Sequence, residues 1–427
     1  MSYLSADQIQ GILTNLASEY DQLLENRTKL QNDCTKLREF IDSQIQQIQN
    51  LNSDFEKLRA EYLQHQEEFA AQGIHAAQKQ QPAPEPEKPQ SPNEEDQQDW
   101  KATPLPGYEK CPVFISLVAE IVDYSIICST AYSPDGTCLA IGSNAMRIYN
   151  TENDKFILQF TIEGDSSQPN FIRSIAWTPH GNQLICGGED HMLRVFELTE
   201  GQEENATPIR TIDSEASIFQ IKFISDGKYF VTAAGDSSLT LWDALTYSKL
   251  WTHKRAEENI VAASLAVSTD NKLVAVGYDD KNVCIFDIEQ RKLLHTAECH
   301  ASGVYAIVFI PNTHRLITSS LDASIKIWDI VENGGNYEMK LLNTIKQHTD
   351  YVLAVAVDPT GKWLLSGSKD MTMKLINLEL GQALYSIKSH SNSIISCDFN
   401  PTSLAFCSGS GDKTVKIWNI APPDAVE

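Results

Sequence analysis

One pattern recurs through the C-terminal three quarters of the chain and confines it to a narrow set of folds. An Asp is followed six residues on by an aromatic or aliphatic residue: Asp190 and Phe196, Asp236 and Trp242, Asp280 and Phe286, Asp322 and Trp328, Asp370 and Ile376, Asp412 and Trp418. An Asp, Asn or Glu usually comes next. A degenerate first copy runs from Gly142 through Asn144 to Tyr149 and Asn150, without the Asp. A period of roughly 40 residues means one supersecondary unit per repeat, stacked so that each unit buries its neighbour's face, and it predicts an all-β seven-bladed β-propeller.

The parts of each repeat agree. An apolar strand runs into a turn marked by Pro or Gly, as at Pro134 to Gly136, Pro179 to Gly181, Asp226-Gly227 and Pro359 to Gly361. A second strand leads to the Asp turn, and a third ends at the aromatic position; this is hairpin chemistry. The longer connections at 200–206 and 332–337 are expected to be surface insertions. The last repeat supplies only three strands before Pro422-Pro423. A lone apolar strand at 113–121 is expected to take the missing outer place and close the ring, leaving no bare sheet edge at the seam.

The rest of the chain is of another kind. Residues 1–73 are predicted to form a helical coiled-coil oligomerisation domain, with a seam of Leu16, Leu23, Leu30, Leu37, Ile41, Ile48, Leu51, Phe55 and Leu58. A heptad stripe of that length needs partner helices to cover it. The broad stripe favours a tetramer, with a dimer as the alternative. Residues 74–110 alternate Pro with Glu and Asp and carry few apolar side chains, which predicts a disordered acidic linker. The propeller is expected over 111–421, with a tail at 422–427.

The formal net charge of −23 disfavours direct nucleic-acid binding, since phosphates are repelled. Lys and Arg are dispersed, so neither a nucleic-acid stripe nor a basic import signal stands out. The 9 cysteines are scattered, with no C-x-x-C spacing, as in a reduced cytosolic or nuclear protein without disulfides or zinc. Neither a signal peptide nor a membrane-spanning apolar run is legible. Phosphate-loop, nucleophile-elbow and metalloprotease motifs are missing, and no cofactor is implied.

Two sets of residues invite a functional reading. His300, Thr318, Asp322 and Trp328 recur in register as His390, Ser408, Asp412 and Trp418, and as His348, Ser366 and Asp370 with Ile376 in the Trp place. His, hydroxyl and Asp resemble a hydrolase triad. A catalytic triad is needed once, however, and three copies at matching positions predict a structural network instead. The second set is read off the starts of the inner strands: Cys128, Phe171, Arg173, Phe219, Tyr305, Tyr351, Leu353 and Ile395, with Glu189, Asp279, Leu321 and Lys369 beside them. So apolar and aromatic a rim predicts a protein-binding surface; the alternative is that some of these side chains pack inside the channel.

The repeats resemble those of WD40 proteins. The order of heptad helix, Pro-rich acidic middle and propeller resembles the Tup family of transcriptional corepressors, with Groucho proteins as functional analogues. The matching phrases are Gln44 to Gln49 with the following heptad, Phe171 to Trp177, Val304 to Phe309, and Asp350 to Val355 with Leu365 to Asp370. The resemblance implies a nuclear, non-enzymatic scaffold whose helix forms a tetramer and docks a tetratricopeptide-repeat corepressor partner. It implies a propeller rim that takes segments of DNA-bound repressor proteins, matched here by Cys128, Phe171, Arg173, Tyr305 and Tyr351, and a middle region touching histone tails and deacetylases. The linker is far shorter than is typical of fungal members. Alternatives are a cytoplasmic coiled-coil scaffold of the motor-regulatory or autophagy type, and a ubiquitin-ligase substrate receptor. For the latter the adaptor motif W-D-x-R is absent at Trp242 and Trp328.

Overall fold

The structure is a computed structural model whose described residues are 100–108, 113–151, 156–161, 170–198, 206–257 and 259–421. The expected helix over 1–73 with its seam, the linker up to 99, and the tail 422–427 lie outside them. The described residues form seven antiparallel sheets, blades 1 to 7. Their inner strands are Ser129–Tyr132, Ile172–Trp177, Ile218–Phe223, Ala262–Val267, Val304–Phe309, Val352–Val357 and Ile394–Phe399. Each inner strand lies against the next and the last against the first, so the blades close into a ring, the seven-bladed propeller the repeats predict.

In blades 1 to 6 four consecutive strands run outward from the axis. In blade 7 the outer strand is β2, Phe114–Val122, antiparallel to Thr414–Ala421. The pairing skips Val118, so Leu117 faces Trp418 while Ala119 faces Ile417. The outer strands of blades 1, 3, 4, 5 and 6 skip one residue at the same point. A bulge flips which face the following side chains take. Ile115 and Leu117 therefore pack toward blade 6, whereas Ala119 and Ile121 pack toward blade 1.

A second strand from the same segment lies where the sequence suggests linker. β1, Lys101–Pro104, pairs with Gln382–Lys388 as a fifth strand on blade 6. Trp100 sets its ring edge-on to Trp418, centroids 5.3 Å apart, and the Tyr385 hydroxyl donates to the Val113 carbonyl at 2.7 Å. The disordered linker expected over 74–110 thus gives way to a paired strand at Lys101–Pro104. These few apolar side chains find a sheet edge to cover, which composition averaged over the stretch conceals. The surface insertion expected at 332–337 is the exposed tip of a hairpin whose stem reaches the neighbouring blade. Ile325–Asn333 and Asn336–Ile345 form one long hairpin with Gly334 and Gly335 at its tip, and Ile330 and Met339 are buried beside blade 4.

Two features of the repeat acquire physical causes. The glycine in Ser-Gly-Ser is required by space. A Cβ on Gly367 would stand 2.6 Å from Ile394 of the next blade, and one on Gly409 would stand 2.5 Å from Ile127 across the ring seam. The residue after the turn Asp has φ between 63° and 80° in six blades, at His191, Ser237, Lys281, Ala323, Met371 and Lys413. The left-handed region strains every non-glycine side chain there.

A candidate binding surface at the channel mouth

The inner strands enclose a central channel of about 360 Å³. At the end where these strands begin, each of blades 2 to 7 drops one residue from its pairing with the second strand. The residues left over are Arg173, Phe219, Ala263, Tyr305, Leu353 and Ile395. Bulged residues are free of the strand's alternation and can be re-aimed. All six line the channel, together with Cys128, which directly precedes the inner strand of blade 1. Six bulge residues and Cys128 thus form a ring of seven side chains at the mouth.

Of the eight rim residues read from the sequence, Cys128, Arg173, Phe219, Tyr305, Leu353 and Ile395 are in this ring. The alternative that some of them point into the channel therefore holds for these six, although all but Cys128 keep part of their surface exposed. Phe171 and Tyr351 stand two residues earlier, outside the ring. The Arg173 guanidinium lies over Phe171, 5.8 Å from the ring centroid, and Lys369 lies 4.5 Å over Tyr351, which is 41% exposed. Each cation has a carboxylate: Arg173 Nε donates to Glu189 at 2.9 Å, and Lys369 sits 3.7 Å from Asp350. The four neighbours are held alike. The backbone N–H groups of Glu189, Asp279, Leu321 and Lys369 donate to the carbonyls of Phe171, Val261, Gly303 and Tyr351.

Burial lowers the pKa of Arg173, but the bonds and charge of Glu189 outweigh it and the net shift is upward. Burial pushes the Cys128 thiol up to about 11, so it stands in the ring as a small apolar group rather than a thiolate. Deeper in the channel, Lys222 and Asp398 occupy a position where the other blades have Ala131, Ala176, Ala266, Val308 and Ala356. Burial raises the pKa of Asp398 against the charge of Lys222, and its Oδ2 accepts the Tyr132 N–H at 2.9 Å across the seam.

One residue of the ring and two exposed side chains outside it escaped the sequence. Ala263 completes the ring but carries no chemical signal. Tyr124 is 86% exposed beneath Arg147, and Met371 is 40% exposed at the turn after Asp370. Tyr124 follows Asp123, which stands in blade 1 where blades 5 to 7 carry their histidine. Asp123 is ion-paired to Arg147 and takes part in a hydrogen-bond set with Ser143. The degenerate first repeat therefore has its own buried network in place of His and Asp.

The three networks have the connectivity of a triad and none of its access. His390 Nδ1 meets Asp412 at 2.9 Å and its Nε2 meets Ser408 Oγ at 2.8 Å, while Trp418 Nε1 donates to that Oγ at 3.1 Å. His300 binds Asp322 and Thr318 at 2.9 and 2.8 Å, with Trp328 donating to Thr318 at 2.9 Å. His348 binds Asp370 and Ser366, each at 2.8 Å. A carboxylate only accepts, so Nδ1 carries the proton of the neutral ring and Nε2 accepts from the hydroxyl, which in blades 5 and 7 accepts in turn from the indole N–H. Thr318, Ser366 and Ser408 are wholly buried, which leaves no room for a substrate carbonyl. Burial pushes the pKa of Asp322 up, but the bonds from Ser324, Ala301 and His300 outweigh it and hold it at about 2. Asp370 and Asp412 are lowered further, the bond and charge of their histidines overcoming burial. Burial lowers the pKa of His300 more than Asp322 raises it. Among the described residues no group of three or more His, Cys, Asp or Glu is gathered as a metal would need.

Comparison with known proteins agrees with this geometry. The family model "WD domain, G-beta repeat" matches residues 339–377 and 381–419, and "Nucleolar protein 10-like, N-terminal domain" matches residues 151–355. The chain is 25% identical to the COMPASS component SWD3 of Saccharomyces cerevisiae, over 47% of this chain and 63% of that protein. It is 22% identical to THO complex subunit 3 of Arabidopsis thaliana, over 50% and 78%. It is 23% identical to the protein groucho of Drosophila melanogaster, over 38% of this chain and 24% of groucho. The chain therefore spans less than two thirds of the first of these relatives and about a quarter of groucho. The fold is a seven-bladed WD40 β-propeller.

Proposed function

We propose that this WD40 scaffold is a non-enzymatic transcriptional corepressor that holds short segments of other proteins at the channel mouth. The observation that carries the reading is the bulge-directed ring. Phe219, Tyr305, Leu353 and Ile395 are partly exposed at a concave mouth, with Phe171 and Tyr351 beside them carrying neutralised cations. Clustered aromatic and aliphatic groups in a concavity supply most of the energy in protein recognition. The partners in this reading are DNA-bound repressor proteins, and groucho supports it as a relative of that functional class.

The same reading assigns the remaining roles. The N-terminal segment assembles the chain into a homo-oligomer, a tetramer by choice, and docks a tetratricopeptide-repeat corepressor partner. The acidic linker takes histone tails or deacetylases, and the protein works in the nucleus. It binds neither nucleic acid nor membrane itself. The relatives named as subunits of COMPASS and THO favour a second reading, a structural subunit of another multiprotein complex, which uses the same mouth.

The test is direct. Tyr305→Ala and Tyr351→Ala in the full chain are expected to weaken capture of repressor segments by at least about thirtyfold, as for a binding hot spot. Circular dichroism should stay unchanged. Binding that survives both changes removes the mouth from the reading. Proximity labelling separates the two roles: repressors among the neighbours support the first, and another complex's subunits the second.

A further inference from the structure

Blade 6 differs from the other blades along its outer edge. The outer strands of blades 3 and 4, Lys249–Lys254 and Lys292–Glu298, begin and end in exposed charges, as edge strands should. Gln382–Lys388 is composed like an interior strand, with Ala383, Leu384, Tyr385 and Ile387 buried. Its cover is β1, whose four strand residues bury little between the anchors at Trp100 and Leu105. Lys101 and Thr103 point outward and are exposed, while Ala102 and Pro104 are only half-buried. The register sets Lys101 directly opposite Lys388, both exposed, and like charges in a facing pair destabilise a sheet. The edge requires a strand, and the strand it has carries the wrong charge for it.

We propose that the outer edge of blade 6 is a strand-docking site for an extended segment of a partner protein, with β1 as its displaceable resident. Main-chain hydrogen bonds supply affinity to any extended segment, and side chains at alternate positions select among them. β1 itself gives the template. An aromatic residue stands where Trp100 meets Trp418, a small residue where Ala102 packs, and a leucine where the Leu105 N–H donates to the Leu384 carbonyl at 2.8 Å. The partner differs at one place: it carries Asp or Glu opposite Lys388, where β1 has Lys101. The β1 of a second copy meets the same repulsion and is the poorer occupant.

Two fluorescent hexapeptides test this on the full-length chain, Trp-Glu-Ala-Thr-Pro-Leu and the native Trp-Lys-Ala-Thr-Pro-Leu. Fluorescence anisotropy is expected to show the acidic peptide binding about fivefold tighter, the order of reversing one exposed charge pair. Ala102→Asp, which weakens β1, raises the affinity of both peptides. Locking β1 by Thr103→Cys with Ser386→Cys under oxidation abolishes binding, and reductant restores it. Lys388→Glu reverses the preference in favour of the lysine peptide. Failure of the acidic peptide to bind the Ala102→Asp chain, when its circular dichroism is native, overturns the site. So does undiminished binding to the locked chain, or a preference that Lys388→Glu leaves unchanged.

Discussion

Ser366 and Ser408 offer a matched experiment on what the repeated network contributes. Both are wholly buried, both sit 2.8 Å from a histidine Nε2, and each histidine is tied to its aspartate at 2.8 to 2.9 Å. They differ in one bond: Ser408 also accepts from the Trp418 indole at 3.1 Å, whereas blade 6 has Ile376 in that place. Ser366→Ala leaves one buried polar atom, Nε2, without a partner, at a cost of about 1–3 kcal/mol. Ser408→Ala leaves the indole N–H as well, for a total of about 2–6 kcal/mol. The same substitution should therefore be costlier in blade 7 by about 1–3 kcal/mol. Urea unfolding followed by far-ultraviolet circular dichroism measures both, with an unchanged slope required for the comparison to hold. Trp418→Phe closes a double-mutant cycle with Ser408→Ala, and a coupling of at least about 0.5 kcal/mol is expected for a contacting pair. Equal losses in the two blades and zero coupling would refute the directional network.

Further outcomes follow from other parts of the ring. Gly367→Ala should destabilise by about 1–3 kcal/mol through overpacking against Ile394, whereas Lys281→Gly should stabilise by about 0.5–1 kcal/mol by releasing left-handed strain, both read from urea midpoints. Cys128 should resist iodoacetamide at pH 7 in the native protein, and mass spectrometry should find it alkylated only as pH approaches 11. Stability should fall with acid in two windows. His300 has a folded pKa below its unfolded value near 6.5, so its contribution is present above that value and is lost as pH falls below it. Asp322, Asp370 and Asp412 are also depressed, so theirs is present above about 4 and is lost as pH falls toward about 2. Thermal unfolding from pH 8 to 2 checks both, and His300→Asn should flatten the first window and, by removing a bond to Asp322, reduce that residue's share of the second.

The sequence made the blades legible because each repeat announces its own turns, and Asp322 or Asp412 marks the same corner each time. The mouth was legible in part. Counting along the inner strands reaches Phe219, Tyr305 and Ile395, but a strict two-residue alternation cannot say that a bulge turns them toward the axis. Phe171 and Tyr351, two residues upstream, look equivalent in sequence and take a different place. β1 was hidden for another reason. Lys101, Thr103 and Pro104 read as linker, and only the apolar strand across from them, at Leu384 and Tyr385, shows that a partner strand is needed. The exposed turn at 332–337 was legible, but the packing of Ile330 and Met339 on its stem was not, because they answer to blade 4 and not to their own repeat.

The seam in blade 7 also sets the order of events during synthesis. β2 leaves the ribosome before any blade exists, and its pairing strand, Thr414–Ala421, is the last of the described strands to appear. Apart from β1, which waits for blade 6, neighbouring strands within the other blades meet soon after they are made, but this pair must wait for the whole ring. Until then β2 is an apolar strand with both edges bare, the kind of segment that chaperones hold and that aggregates when they do not. Quality control of this protein therefore has a natural checkpoint: a chain truncated before Thr414 carries an unmatched β2, by which it can be recognised.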